Sequence, residues 1–248
     1  MIGGRNFEPT ARPAFTLSVD GVTSDTVDAL PPGPFLRFVD LPAADAATST
    51  DYLPVPVTTT PPARVAVEQF DVSSTRPVMG YGDGWHEQEF NPRTGLRWRW
   101  LSERGELRLR MPARRLTLHL EGESPLTYFK RGSRLLVRVN ERTVYDAPLS
   151  ADFSLDIPID AESPISPGGR WSEQKISLET DQVFSPADRS RRSADRRHLG
   201  LRIFKCEPRP ARVTTTINAE SAELVSSPRV PRVLRLTSWV WVGRRARP

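Results

Sequence analysis

Cysteine is all but missing from this chain: Cys206 is the only one in 248 residues, which excludes an intramolecular disulfide framework and a cysteine-built zinc site. Its neighbours Ile203 and Phe204 place it on a strand as a small apolar filler. Histidine occurs only as His86, His119 and His198, in none of the spacings HxH, HxxxH or HExxH, so neither a metal site nor a cofactor is expected. No run of about 18 apolar residues exists, which excludes a membrane-spanning helix. The segment from Met1 to Phe7 lacks the apolar core of a secretion signal. There is no Gly-x-Ser-x-Gly elbow and no phosphate-cradling loop, and Gly80, Gly82 and Gly84 lack the strand and helix such a loop sits between. No catalytic residue is assigned, and the chain reads as a non-enzyme.

What the chain has in quantity is proline and alternation. Its 24 prolines exclude long helices and suit short strands joined by turns. Period-2 alternation marks Phe15–Val19, Arg64–Phe70, Glu106–Met111, Arg115–Leu120, Arg134–Val139, Phe153–Ile159, Lys175–Glu179 and Leu199–Cys206, and no stretch sustains a helical i, i+3, i+4, i+7 pattern. Many short alternating strands indicate an all-β chain of antiparallel β-sandwich modules, one complete and one partial.

Two series of strands run in parallel along the sequence. Phe15–Val19 turns at Asp20-Gly21 and leads to the apolar run Phe35–Leu41, which ends at Pro42. Leu135–Val139 turns at Asn140-Glu141 and leads to Phe153–Ile157, which ends at Pro158. The closing strands are Arg64–Phe70 and Leu199–Cys206. The expected organisation is a partial sandwich over residues 1–76, the back half of a repeat, and a complete one over 77–207. A linker opened by Pro208-Arg209-Pro210 follows, with a tail to 248 that offers strand candidates at Val213–Ile217 and Val233–Val242. The partial copy needs cover for its apolar faces and edges, and the tail is expected to return and supply it.

The net charge of +5 invites a nucleic-acid partner. All but Lys130, Lys175 and Lys205 of the 35 basic residues are arginine, and they alternate with apolar residues, as in Leu107-Arg108-Leu109-Arg110. That spreads them over wet strand faces rather than gathering them into one basic stripe. The denser cluster Arg189–Arg197 is interrupted by Asp195. No nucleic-acid partner is expected.

Candidate binding residues fall in three places. In Gly82-Asp83-Gly84-Trp85-His86-Glu87-Gln88-Glu89, Trp85 is either a stacking platform for a flat ligand or a core plug, and Glu87 and Glu89 are acceptors. In Leu96-Arg97-Trp98-Arg99-Trp100, period 2 puts Trp98 and Trp100 on one face, as packing residues or as an aromatic platform. Before the closing strand, Asp195 and Arg197 tie a loop to the sheet, and Arg197 or Arg99 is expected to pair with Glu89 or Asp195 across a buried clasp.

These motifs, in the order Gly84-Trp85, Glu89, Arg99-Trp100, Glu106-Leu107-Arg108-Leu109, Phe184-x-Pro186 and Asp195-x-Arg197-x-Leu199-Gly200-Leu201, resemble the C-terminal β-sandwich appended to bacterial membrane glycosyltransferases of the dolichyl-phosphate-mannose mannosyltransferase-like type. The resemblance covers roughly residues 80–206. It departs from that pattern in an inserted Asn91-Pro-Arg-Thr-Gly95, and the family's catalytic multi-helix portion has no counterpart here. What it implies is an extracytoplasmic, non-catalytic accessory module that binds glycan or positions a membrane glycosyltransferase. A structural or protein-interaction module without a small ligand is the alternative.

Overall fold

A computed structural model describes residues 1–19, 21–40, 54–73, 75–112, 115–161 and 171–211. Every strand pairing within them is antiparallel, and the one helix among the described residues is the single turn α1 (Pro186–Arg189). Residues Met1–Arg212 form one compact unit.

Six strands build the smaller sandwich: β1 (Ile2–Asn6), β2 (Ala14–Val19), β3 (Val22–Val27), β4 (Gly33–Arg37), β5 (Val57–Thr60) and β6 (Val65–Phe70). They form two three-stranded sheets, β4-β1-β6 and β3-β2-β5. Alternation along β2 turns Phe15, Leu17 and Val19 inward, where they meet Ile2 and Phe35 of the other sheet. β1 escapes an alternation search because its centre is Gly3-Gly4, and glycine is disfavoured in strands. Packing overrides propensity there: a Cβ on Gly4 would lie 1.9 Å from the Ala66 carbonyl oxygen of β6, so only glycine admits that approach.

Ten strands build the larger sandwich: β7 (Val78–Tyr81), β8 (Glu89–Phe90), β9 (Arg97–Trp100), β10 (Arg104–Met111), β11 (Arg115–Glu123), β12 (Arg134–Val139), β13 (Arg142–Pro148), β14 (Asp152–Asp160), β15 (Ser172–Thr180) and β16 (Arg202–Pro210). Its sheets are β13-β12-β15-β10-β7 and β14-β11-β16-β9-β8, closed over a continuous core that includes Leu109, Leu118, Leu120, Val137 and Ile176. Each of the eight alternating runs falls on a strand. The last begins and ends later than its pattern: Leu199 bridges Phe184 instead, and β16 runs through Pro208 and Pro210 alongside β11. Those prolines are tolerated because β9 pairs only with Arg202 and Ile203, so no strand among the described residues calls on the donors that Pro208 and Pro210 lack.

The smaller sandwich repeats six strands of the larger one. The order β3-β2-β5 matches β13-β12-β15, and β4-β1-β6 matches β14-β11-β16. The irregularities match too. The β2–β3 register shifts between Leu17 and Ser18 and the β12–β13 register between Val137 and Arg138, while β1–β6 shifts at Gly3/Gly4 and β11–β16 at Glu121/Gly122. Among the described residues the smaller sandwich has no counterparts of β7 to β10. The tail strands expected to cover it, and the loop 163–170, lie outside the described residues.

Candidate functional site

The glycine loop after β7 is built by a hydrogen-bonded turn against β10. Gly82 N–H donates to the Glu106 carbonyl and Glu106 N–H to that of Asp83, both at 2.8 Å. Gly84, at φ +77°, then reverses the chain and drops Trp85 into the end of the core. There the indole packs edge-on to Tyr81 at 5.1 Å and is only 7% exposed. The segment Asn91–Gly95 is the tip of the β8–β9 hairpin, closed by Gly95 N–H to Asn91 O and Asn91 N–H to Leu96 O.

Beside this loop the two sandwiches meet along a cleft of about 430 Å³. One wall is β1 and β6, contributing Arg5, Glu68 and Gln69. The other is the loop from Tyr81 to Glu87 with Arg99, Ser102 and Arg197. Clefts between modules are common binding positions, and this volume lies in the usual range of roughly 300–1,000 Å³.

Of the eight candidate residues, Trp85, Glu87, Arg99 and Arg197 line this cleft. Arg99 donates to the His86 carbonyl at 3.0 Å, and its guanidinium lies 4.6 Å from the Tyr81 ring centroid. Glu89, Trp98 and Asp195 stand behind Arg197 as a chain of contacts. Trp98 Nε1 donates to Glu89 Oε2 at 3.0 Å. Arg197 Nη1 lies 2.9 Å from Glu89 Oε1, and its Nε and Nη2 donate to the Asp195 carboxylate. The expected pairing is thus made, tying the glycine-loop region to the segment before the closing strand. Its setting corrects the sequence analysis: the Arg197 side chain is 40% exposed, so the clasp is a surface network rather than a buried pair.

Of the two readings of the tryptophans, packing is the one that the surroundings of Trp85 and Trp100 fit. Trp98 and Trp100 do share a face, on the outer side of their sheet, but Trp100 is covered by Phe129, Phe184 and Leu199. Trp98 has the Arg202 guanidinium over its ring. Trp85 points into the core. A partner for Trp100 that lies 84 residues along the chain, as Phe184 does, leaves no local sign in sequence.

Arg197 holds the Asp195 carboxyl down to about 2 by direct hydrogen bonds, while Asp195 and Glu89 raise the Arg197 guanidinium. A depressed carboxyl stabilises the fold at pH above its unfolded value and loses that contribution as pH falls through about 2. Arg197→Gln is therefore expected to move the Asp195 titration up towards the ordinary carboxylate range. Because the pair is exposed, the expected stability cost is only about 1 kcal/mol. Carboxyl NMR titration with urea unfolding checks both, and a loss above about 3 kcal/mol would show the clasp to be buried in solution.

Other reactive groups lie elsewhere. Burial pushes the Cys206 thiol up to about 12, which leaves it protonated and unreactive at neutral pH. His119 is buried on β11 between Asp156 at 2.7 Å and Glu121 at 2.5 Å and does not line the cleft. Among the described residues no group of three or more His, Cys, Asp or Glu side chains is placed to hold a metal ion, and no helix is long and apolar enough to cross a membrane.

Sequence reasoning missed Arg5, Glu68 and Gln69. They belong to the other sandwich, and nothing local marks a residue that will face a loop from a second module. No family model, curated protein or solved structure matches the chain.

Proposed function

We propose that this chain is a non-catalytic accessory module that takes a hydroxyl-rich, carbohydrate-type ligand in the cleft between its sandwiches, by hydrogen bonding rather than by aromatic stacking. The observation that carries this is how the polar groups of the cleft are committed. Two of its arginines are hydrogen-bonded within the protein, Arg197 with Glu89 and Asp195 and Arg99 with a carbonyl, over the Tyr81 ring, while the third, Arg5, has its Nε buried 3.8 Å from Glu68. The carboxylates of Asp83 and Glu87 have no hydrogen bond or ion pair among the described residues, and both side chains are exposed. A carboxylate only accepts hydrogen bonds, and sugar hydroxyls are donors in adjacent pairs. The likeness of the glycine loop and the Asp195–Leu201 segment to a glycosyltransferase-appended sandwich supports the same ligand class, and positioning such a transferase is the role proposed for the module.

The burial of Trp85 and Trp100 favours a second reading, a structural or protein-interaction module whose motif residues serve packing alone. A panel of neutral gluco-, galacto- and manno-oligosaccharides, followed by amide chemical shifts, separates the two. Binding is expected to perturb Gly82–Glu87, and Asp83→Asn or Glu87→Gln is expected to weaken it about tenfold or more, since hydrogen bonds to charged groups contribute about 1.5–3 kcal/mol. Shifts confined to residues outside the cleft, or no shifts at all, would leave the structural reading standing.

A further inference from the structure

One edge strand at the sandwich junction finishes its ladder on a side chain. Among the described residues β7 is the last strand of its sheet, so no strand among them lies beside the peptide groups it turns away from β10. Gln69 supplies the missing partner. Tyr81 N–H donates to Gln69 Oε1 at 2.8 Å, and Gln69 Nε2 donates to the Tyr81 carbonyl at 2.8 Å. A primary amide carries a donor and an acceptor side by side and so reproduces the paired bonds of an antiparallel neighbour.

The backbone aims Gln69 there. Gly3 is opposite Gln69 but Gly4 is opposite Val67, so Glu68 is an extra residue in β6, and such a bulge redirects the side chains beside it. The matching bulge in the larger copy has Glu121 opposite Lys205 and Gly122 opposite Ile203. The device at Gln69 therefore belongs to the junction and not to the repeat. Two further contacts hold the same face. Leu36 fills the hollow at Gly80, where a Cβ would lie 2.5 Å from it, and Arg108 Nη1 donates to the Leu36 carbonyl at 3.1 Å. Gln69 and Tyr81 are also opposite walls of the cleft.

We infer that Gln69 is a positioning residue that sets the spacing between the two walls of the junction cleft. Its effect on ligand rests on the proposed function; its effect on spacing does not. Removing the amide leaves the Tyr81 peptide groups free to bond water, so stability changes little while the orientation of the sandwiches loosens. Gln69→Glu keeps an acceptor for Tyr81 N–H but sets a carboxylate oxygen against the Tyr81 carbonyl, so it fails in the same way.

The test uses the full chain with Cys206→Ala and spin labels at Thr26→Cys and Ser150→Cys, one exposed position on each sandwich. With Gln69 present, one narrow distance distribution is expected. Gln69→Ala and Gln69→Glu are expected to broaden it and to speed Tyr81 amide exchange by about tenfold or more, with unchanged thermal unfolding. An unaltered distribution with unaltered Tyr81 exchange would overturn the inference, as would a broadening explained by loss of thermal stability. In the second arm, the oligosaccharide of the panel that binds the parent protein is titrated into both variants. A tenfold loss supports control of the site by wall spacing, and unchanged affinity with widened spacing overturns that control. Should no oligosaccharide bind the parent while the spacing still widens, the carbohydrate proposal fails and the positioning role of Gln69 stands.

Discussion

Replacing Gly84 by alanine is expected to destabilise the larger sandwich by more than about 3 kcal/mol, whereas the same change at Gly95 costs about 1. Both glycines sit at positive φ, +77° and +71°, so both variants carry the left-handed penalty of an L-residue. They differ in what surrounds the new methyl group. At Gly95 nothing lies within 4 Å, while at Gly84 the Cβ would stand 1.7 Å from the Arg104 carbonyl oxygen and 2.9 Å from Gly105 Cα. Those are backbone atoms of β10, held there in the ladder with β15, and they cannot swing aside as a side chain can. The loop must lift instead, drawing Trp85 from the core and breaking the paired bonds between Gly82, Asp83 and Glu106. Urea unfolding of the two variants beside the parent checks this. Equal losses at Gly84 and Gly95 would show that the loop gives way without disturbing Trp85.

That contrast also marks what sequence conveys and what it withholds. Alternation reports a strand with one dry face, which is why Glu106–Met111 and Arg134–Val139 are legible: their inward residues are apolar and their outward ones polar, Leu136 excepted. β1 and β3 are not legible in that way. Gly3-Gly4 in β1 answers to the close passage of β6, and β3 has no fully buried residue to mark a dry face. For the site, the glycine loop and the Asp195–Arg197 pair stand out because unusual residue types crowd into a few positions. Whether a tryptophan there faces solvent or core depends on distant partners: Phe129 and Phe184 for Trp100, Gly105 for Trp85. The wall formed by Arg5, Glu68 and Gln69 depends on how two modules dock, which no local pattern encodes. Two hairpins with the same turn position recur along the sequence, and in three dimensions the strand orders and register shifts of those segments correspond.

Trp85→Ala is expected to be the costliest single side-chain truncation in the candidate site, about 3–5 kcal/mol, which is the usual range for removing a buried tryptophan. Trp98→Ala is expected to cost well under half of that. Trp85 is 7% exposed, belongs to the main core and makes the edge-on contact with Tyr81, so its loss leaves a cavity bounded by strands that cannot collapse. Trp98 is half-buried, and water can replace its bond to Glu89. One feature of Trp85 sharpens the prediction. Its Nε1 is buried with no hydrogen-bond partner, pressed towards the site of Gly105, where a Cβ would lie 2.8 Å from it. An unsatisfied buried donor costs about 1–3 kcal/mol, so Trp85→Phe, which removes the donor and keeps most of the ring, is expected to recover most of the stability that alanine loses. A role for Trp85 in ligand stacking would give another order of effects: both substitutions would weaken oligosaccharide binding while leaving unfolding nearly unchanged. Measuring unfolding and binding on Trp85→Ala, Trp85→Phe and Trp98→Ala together decides between a core plug and a platform, because only a core plug ranks the three variants by buried volume.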